Sequence, residues 1–437
     1  MSGPLRPGTD EGREATPRRR RVAYLVALVL LAGALVWGRS QDSPKVESPL
    51  RQIFPRAEIT KVREGIHAVY DEGGSLLGWA GTGRGQGYGG PLTLLVGFDT
   101  LGKVAGVEVL ENRETPIFWR MVRAPEYFRA IRGEPFDSLS REYADVVGVT
   151  GATLSAQAIV QGVQTSVIKV AATAFDTRIP VPPRPFEFGL LEIVVLVLFA
   201  MGILGLRLRG PLRRRARWAS QVGGLVVLGF WKDSPVTLAK ISAFLSGYLP
   251  DPRVQMAMYF LVAGFVLTSL FYGRNLYCLY ACPFGAAQRI VGVIGGSGLK
   301  VSPRWARLLG GVRDVVVFAA LFIAFLSARP VLASYEPFAA LFSLRGTTLQ
   351  WLLLFVVLVA SLAVRTPWCS FFCPMRSVEV ALQDLRNWMK GKGSGGPPGK
   401  LVAGRRPSAM EVVTAVSALV VMGLIVGILA QGALYAP

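Results

Sequence analysis

All four cysteines of this chain fall in two copies of one motif, Cys278-Leu-Tyr-Ala-Cys282-Pro283 and Cys369-Ser-Phe-Phe-Cys373-Pro374. Chance does not readily place every thiol of a protein in a duplicated C-x-x-x-C-P. Four thiolates brought together support three chemistries. They can hold a [4Fe–4S] cluster, which is usually cysteine-ligated and often has a proline after a ligand. They can hold zinc, whose usual ligand spacings are only partly matched here. Or the pairs can cycle between dithiol and disulfide. The bland alternative is four buried free cysteines acting as small hydrophobes, and the duplication counts against it. The single histidine, His67, excludes a bis-histidine haem within the chain and any histidine-rich metal site.

A second group of residues has a different chemistry. Thr150-Gly151-Ala152-Thr153-Leu154-Ser155 opens a helical pattern running to about Phe175, with apolar residues at Ile159, Val160, Val163, Val167, Val170 and Ala171. Small and hydroxyl residues at a helix start satisfy free N–H groups and offer a site for phosphate. Taken alone, Thr153 or Ser155 reads as an ordinary N-cap. Upstream, the glycine-rich run Gly81–Pro91 precedes an alternating stretch, Leu92–Phe98. The turn Asp99–Lys103 and the run Val104–Leu110 follow, which together read as a β-hairpin. Glycines ahead of a strand permit close approach to a flat ligand, although turn-making is the simpler reading of this run by itself.

The order of these features is more specific than any one of them. Gly-Tyr-Gly-Gly-Pro at 87–91, a hairpin, Glu114-Thr115-Pro116, then Thr-Gly-Ala-Thr opening a helix resembles the FMN-binding domain family over about residues 80–175. That family includes small flavoprotein subunits of sodium-pumping and Rnf-type redox complexes and membrane regulators of the NosR type. The resemblance implies that a flavin transferase esterifies the FMN phosphate to Thr153, with Thr150, Gly151, Ala152 and Ser155 around it. It makes Tyr88, Gly89, Glu114 and Thr115 candidate flavin neighbours. The chain departs from the family pattern at Val147, where an aspartate is frequent, and at Ile117-Phe118-Trp119, where Gly-Leu-Gly is usual. The second departure implies a bulkier, more apolar wall beside the isoalloxazine. Paired C-x-x-x-C-P motifs in a polytopic domain behind such a flavin domain resemble the NosR/PceC arrangement, in the shorter form without a C-terminal ferredoxin domain.

The elements that must position these groups follow from hydropathy. The 437 residues are 51% hydrophobic and 17% charged, too apolar for an ordinary soluble protein. The excess sits in blocks long enough to be transmembrane helices. Seven are expected, at Val22–Trp37, Phe188–Leu206, Trp218–Trp231, Val254–Tyr272, Val312–Ala328, Leu349–Val364 and Val412–Ala430. Six remain possible if the short third block does not cross. The net charge of +20 comes from arginines beside these blocks, such as Arg18–Arg21 and the cluster from Arg207 to Arg217. The positive-inside rule explains that placement better than nucleic-acid binding does. Both cysteine motifs are then expected in basic cytoplasmic regions, and the soluble segment outside.

The expected organisation is an α+β extracytoplasmic FMN-binding domain joined to an all-α polytopic membrane domain. Residues 1–42 form a basic tail and uncleaved anchor, 43–187 the flavin domain, and 188–390 the membrane domain. Residues 391–409 form a flexible basic linker and 410–437 a last helix. The expected function is electron transfer at the cytoplasmic (inner) membrane through covalent FMN and a [4Fe–4S] centre held by Cys278, Cys282, Cys369 and Cys373. Membrane lipid, the quinone pool and an extracytoplasmic reductase system are the implied partners. A membrane redox sensor or a maturation factor for a respiratory reductase is the alternative. A transporter or scaffold explains the spans but leaves both motif sets unused. The ~30 Å thickness of a bilayer core raises the question of how electrons pass between the two sites.

Overall fold

The computed structural model describes residues 17–40, 46–55, 57–63, 65–87, 91–112, 128, 131–141, 153–179, 186, 188–253, 255–299, 301–390, 421 and 423–425. Helix α1 spans Pro17–Ser40 and the short α2 spans Glu47–Ile53. Five strands then form one antiparallel meander: β1 Glu58–Arg63, β2 Ile66–Tyr70, β3 Leu76–Gln86, β4 Pro91–Asp99 and β5 Val104–Asn112. After the short α3 (Phe136–Arg141), the long α4 (Thr153–Ala174) lies across the sheet.

Strand β4 shows why this region folds as it does. Its alternate residues Leu92, Leu94, Val96 and Phe98 pack with Ile159, Val163, Val167 and Val170 of α4, while Leu95 packs with Leu50 of α2 on the other face. The expected alternation is broken at Leu94-Leu95-Val96, where consecutive apolar residues serve a strand buried on both faces. The β4–β5 turn is fixed by the Asp99 carboxylate, which accepts from Leu101 N (2.9 Å) and Lys103 N (2.8 Å), with Gly102 at φ +79°. The expected hairpin is therefore present.

The glycine-rich run has a different role from the one its sequence offered. Gly81, Gly83 and Gly85 belong to β3, paired with Val96, Leu94 and Leu92 of β4. They face α4 rather than a ligand. A Cβ on Gly83 would overlap the Gly162 carbonyl, and one on Gly85 the Ala158 carbonyl. The Ser166 hydroxyl donates to Gly81 O at 2.8 Å. Removing three side chains from one face lets helix and sheet backbones touch. Gly83→Val should therefore destabilise the domain by at least the roughly 1–3 kcal/mol of an overpacked core, read as a lowered first transition in thermal unfolding of the detergent-solubilised protein.

The remainder is helical. Among the described residues, three helices are long and apolar enough to cross a membrane: Val22–Ser40 within α1, Leu190–Arg207 (α5) and Pro303–Leu326 (α10). Met256–Tyr272 (α8) and Thr348–Ala363 (α12) are shorter and equally apolar. The expected third block is the second half of a continuous rod in which α6 (Gly210–Gly224) runs into π-helical turns at Leu225–Trp231. The short α7 (Leu238–Leu245) precedes α8; α9 (Pro283–Ile294) follows the first cysteine motif, and α11 (Phe338–Phe342) lies between α10 and α12. Helix α13 (Pro367–Phe371) carries Cys369 and leads to α14 (Pro374–Met389). Of the last expected block only residues 421 and 423–425 are described, and Val421 and Ile425 join the same core. Helix α1 lies along α10 and is tied near both ends. Tyr24 Oη donates to Asp384 Oδ2 at 3.1 Å, and the Arg39 guanidinium donates to Ser246 O.

Candidate metal centre and flavin site

The two cysteine motifs are built alike. Cys282 (φ −63°, ψ 116°) and Cys373 (φ −65°, ψ 123°) share one extended conformation, the one imposed on a residue before proline. Each is the N-cap of the helix that its proline starts, α9 or α14. Each also donates its backbone N–H five residues back at 2.8 Å, Cys282 to Tyr277 O and Cys373 to Trp368 O. The first motif is a π turn, Tyr277–Ala281. Its Leu279 carbonyl accepts from Gln221 Nε2 (2.7 Å) and its Tyr280 carbonyl from Ser220 Oγ (2.9 Å), both on α6.

The motifs brace each other. Asn275 Oδ1 accepts from Cys278 N at 3.1 Å, and Asn275 N donates to Glu379 Oε1 at 3.3 Å, from the helix that follows the second motif. Glu379 is also held by Arg376 (2.8 Å) and Gln383 (2.9 Å). In return Gln288, on the helix after the first motif, accepts from Trp368 N at 3.0 Å and donates to Cys369 Sγ at 3.2 Å. Asn275 and Gln288 were not singled out from sequence. The available signal was an uncharged polar side chain within six residues of the first motif on either side.

The four thiols gather in one place. A Cβ on Gly285 would lie 3.7 Å from both Cys282 Sγ and Cys369 Sγ. The four thiols are near enough to interact with one another, and the Arg289 guanidinium is near enough to act on Cys282 and Cys369. Tyr277, Phe284, Tyr335 and Trp368, each at most 1% exposed, form part of the same core.

Among the described residues, no three His, Cys, Asp or Glu side chains converge closely enough to hold a single metal ion. Zn–S bonds of about 2.3 Å bring ligand sulfurs within about 4 Å of one another. An all-thiol set with an N–H donor aimed at sulfur fits an iron–sulfur cluster.

The second motif also leads into contact with α10. Ser377, four residues beyond Cys373, donates to Asp314 Oδ1 (2.6 Å) and accepts from Arg313 Nε (2.9 Å), halfway along the 24-residue α10. From the opposite end of the bundle, Tyr335 Oη donates to Phe372 O at 3.2 Å and Tyr277 Oη accepts from Val236 N at 2.9 Å.

For the flavin, Tyr88, Gly89, Glu114, Thr115, Thr150, Gly151 and Ala152 lie outside the described residues, and of Thr153 and Ser155 only the backbone is described, in the first turn of α4. The elements flanking these residues end together. Gln86 pairs with Pro91 and Leu92 with Asn112, so β3 ends, β4 starts and β5 ends along one edge of the sheet. Gln86 N donates to Gln161 Oε1 at 3.1 Å, and Gly85 abuts Ala158, so the N-terminus of α4 lies towards that same edge.

Comparison with known families matches residues 87–167 to the FMN-binding domain, and residues 254–302 and 347–392 to the 4Fe-4S binding domain, one cysteine motif in each part. The chain carries both domains. FMN and an iron–sulfur cluster are its cofactors. It is 27% identical over 201 residues to protein NirI of Paracoccus denitrificans, covering 43% of this chain and 29% of that one. It is 25% identical over 243 residues to regulatory protein NosR of Pseudomonas aeruginosa, covering 50% of this chain and 33% of that one. A component of the ion-translocating oxidoreductase complex of Stutzerimonas stutzeri is 28% identical over 167 residues, 32% of this chain and 73% of that component. The aligned segments thus span about a third of the length of NirI and NosR.

Proposed function

We propose that this protein passes electrons across or along the cytoplasmic membrane, between a [4Fe–4S] centre on Cys278, Cys282, Cys369 and Cys373 and an FMN esterified to Thr153. The observation that carries this reading is the convergence of two distant C-x-x-x-C-P motifs on one partly buried four-thiol centre, in the same chain as an FMN-binding domain. When bound, the two cofactors supply one-electron and one- or two-electron exchange respectively. The residues of the chain do the rest. Cys282 and Cys373 are aimed by their prolines, and Asn275, Glu379 and Gln288 hold the motifs in register. Arg289 sets a positive charge against the sulfurs, and the aromatic wall keeps water out.

In this reading the chain crosses seven times, with the flavin domain outside and the arginine clusters inside. The quinone pool is the proposed electron source and an extracytoplasmic reductase system the proposed destination; a flavin transferase and membrane lipid are the other proposed partners.

The reading is tested in liposomes. Anaerobic addition of a quinol should reduce both the EPR-active centre and the flavin absorbance. A cluster that reduces while the flavin stays oxidised would exclude transfer between them.

A further inference from the structure

Gln288 is fully buried, and its three polar positions are all used. Its Oε1 accepts from the Trp368 backbone N–H at 3.0 Å. A backbone N–H can only donate, so this bond fixes the orientation of the amide. The NH2 group must therefore point the other way, where it meets Cys369 Sγ at 3.2 Å and Phe284 O at 3.4 Å. A neutral thiol is a weak acceptor, whereas a metal-bound thiolate carries charge and accepts strongly. Burying an amide donor against a sulfur is favourable when that sulfur is anionic. The next residue, Arg289, brings its guanidinium close enough to interact with Cys369, Cys282 and Cys278.

We propose that Gln288 is a positioning residue that sets the reduction potential of the iron–sulfur centre, its amide N–H stabilising the reduced state through the sulfur of Cys369. Reduction adds negative charge that spreads onto the ligand sulfurs, and a hydrogen bond to sulfur is one of the protein's levers on potential. The same side chain locks the second motif to the helix that follows the first, so one residue both fixes the spacing of the motifs and tunes the centre. This inference rests on the reading of the four cysteines as cluster ligands.

The test is an anaerobic EPR-monitored redox titration of the full-length protein, with iron analysis, for wild type, Gln288→Leu and Gln288→Glu. Gln288→Leu is expected to keep its iron. At the potential where the wild-type centre is half reduced, its reduced-to-oxidised ratio should fall about tenfold, a midpoint about 59 mV lower for a one-electron couple. Gln288→Glu, which puts an acceptor against the sulfur, should shift further in the same direction. A Gln288→Leu protein with full iron and an unchanged midpoint overturns the inference while leaving the cluster intact. Wild-type protein without iron overturns the cluster reading itself, and this inference with it. If Gln288→Leu assembles no centre, pulsed EPR of the wild type decides. A weak nitrogen coupling that changes on side-chain 15N-glutamine labelling supports the bond, and its absence overturns it.

Discussion

Cys369→Ser protein purified anaerobically is expected to have lost its iron–sulfur centre, with iron and acid-labile sulfide reduced by well over tenfold. Loss of groups that merely orient ligands already costs about 10–100-fold in metal affinity, and here a ligand itself is removed. The chain has no spare thiol, because all four cysteines lie in the two motifs. Serine is nearly isosteric, so the packing of Phe284 and Trp368 around the site survives and the helices remain assembled. Unfolding is then no explanation of the loss. The same outcome is expected for Cys278, Cys282 and Cys373, each checked by iron analysis and EPR after dithionite reduction. Full iron in any one serine variant would remove that cysteine from the ligand set.

Thr153→Ala should abolish covalent flavin. Wild-type protein run on a denaturing gel is expected to fluoresce under ultraviolet light, because a phosphoester bond to FMN survives denaturation, and the alanine variant should be dark. Thr153 is the first residue of α4, where loss of a hydroxyl costs at most about 1–2 kcal/mol of helix stability. That is too little to unfold a domain whose core runs the length of α4 and β4. A fluorescent alanine variant would move the linkage to a neighbour, with Thr150 and Ser155 the next to substitute.

How much of this was legible in the sequence depends on the range of the interaction involved. The duplicated cysteine motif, the apolar helices, the β4–β5 hairpin and the helix opening at Thr153 each depend on neighbours a few residues away. Periodicity, turn chemistry and the conformational restriction before proline are local, so a linear reading recovers them. The glycines of β3 were visible but not interpretable, since a glycine that admits a ligand and one that admits a helix look the same in one dimension. Only the packing of Gly83 against Gly162 decided between them.

The same limit applies at the metal centre. The sequence by itself determined which four side chains carry the sulfur chemistry and that proline would turn each motif into a helix start. It did not determine that Gln288 reaches Cys369, 81 positions away, or that Glu379 supports Asn275 across 104. Nor did it reveal that segments from both ends of the bundle meet at the thiols. Hydropathy records which residues leave water, and it is indifferent to which buried partner they find. Tertiary structure decided the partners, because a buried amide or carboxylate must find its hydrogen bonds wherever the packed helices bring a donor or acceptor within reach.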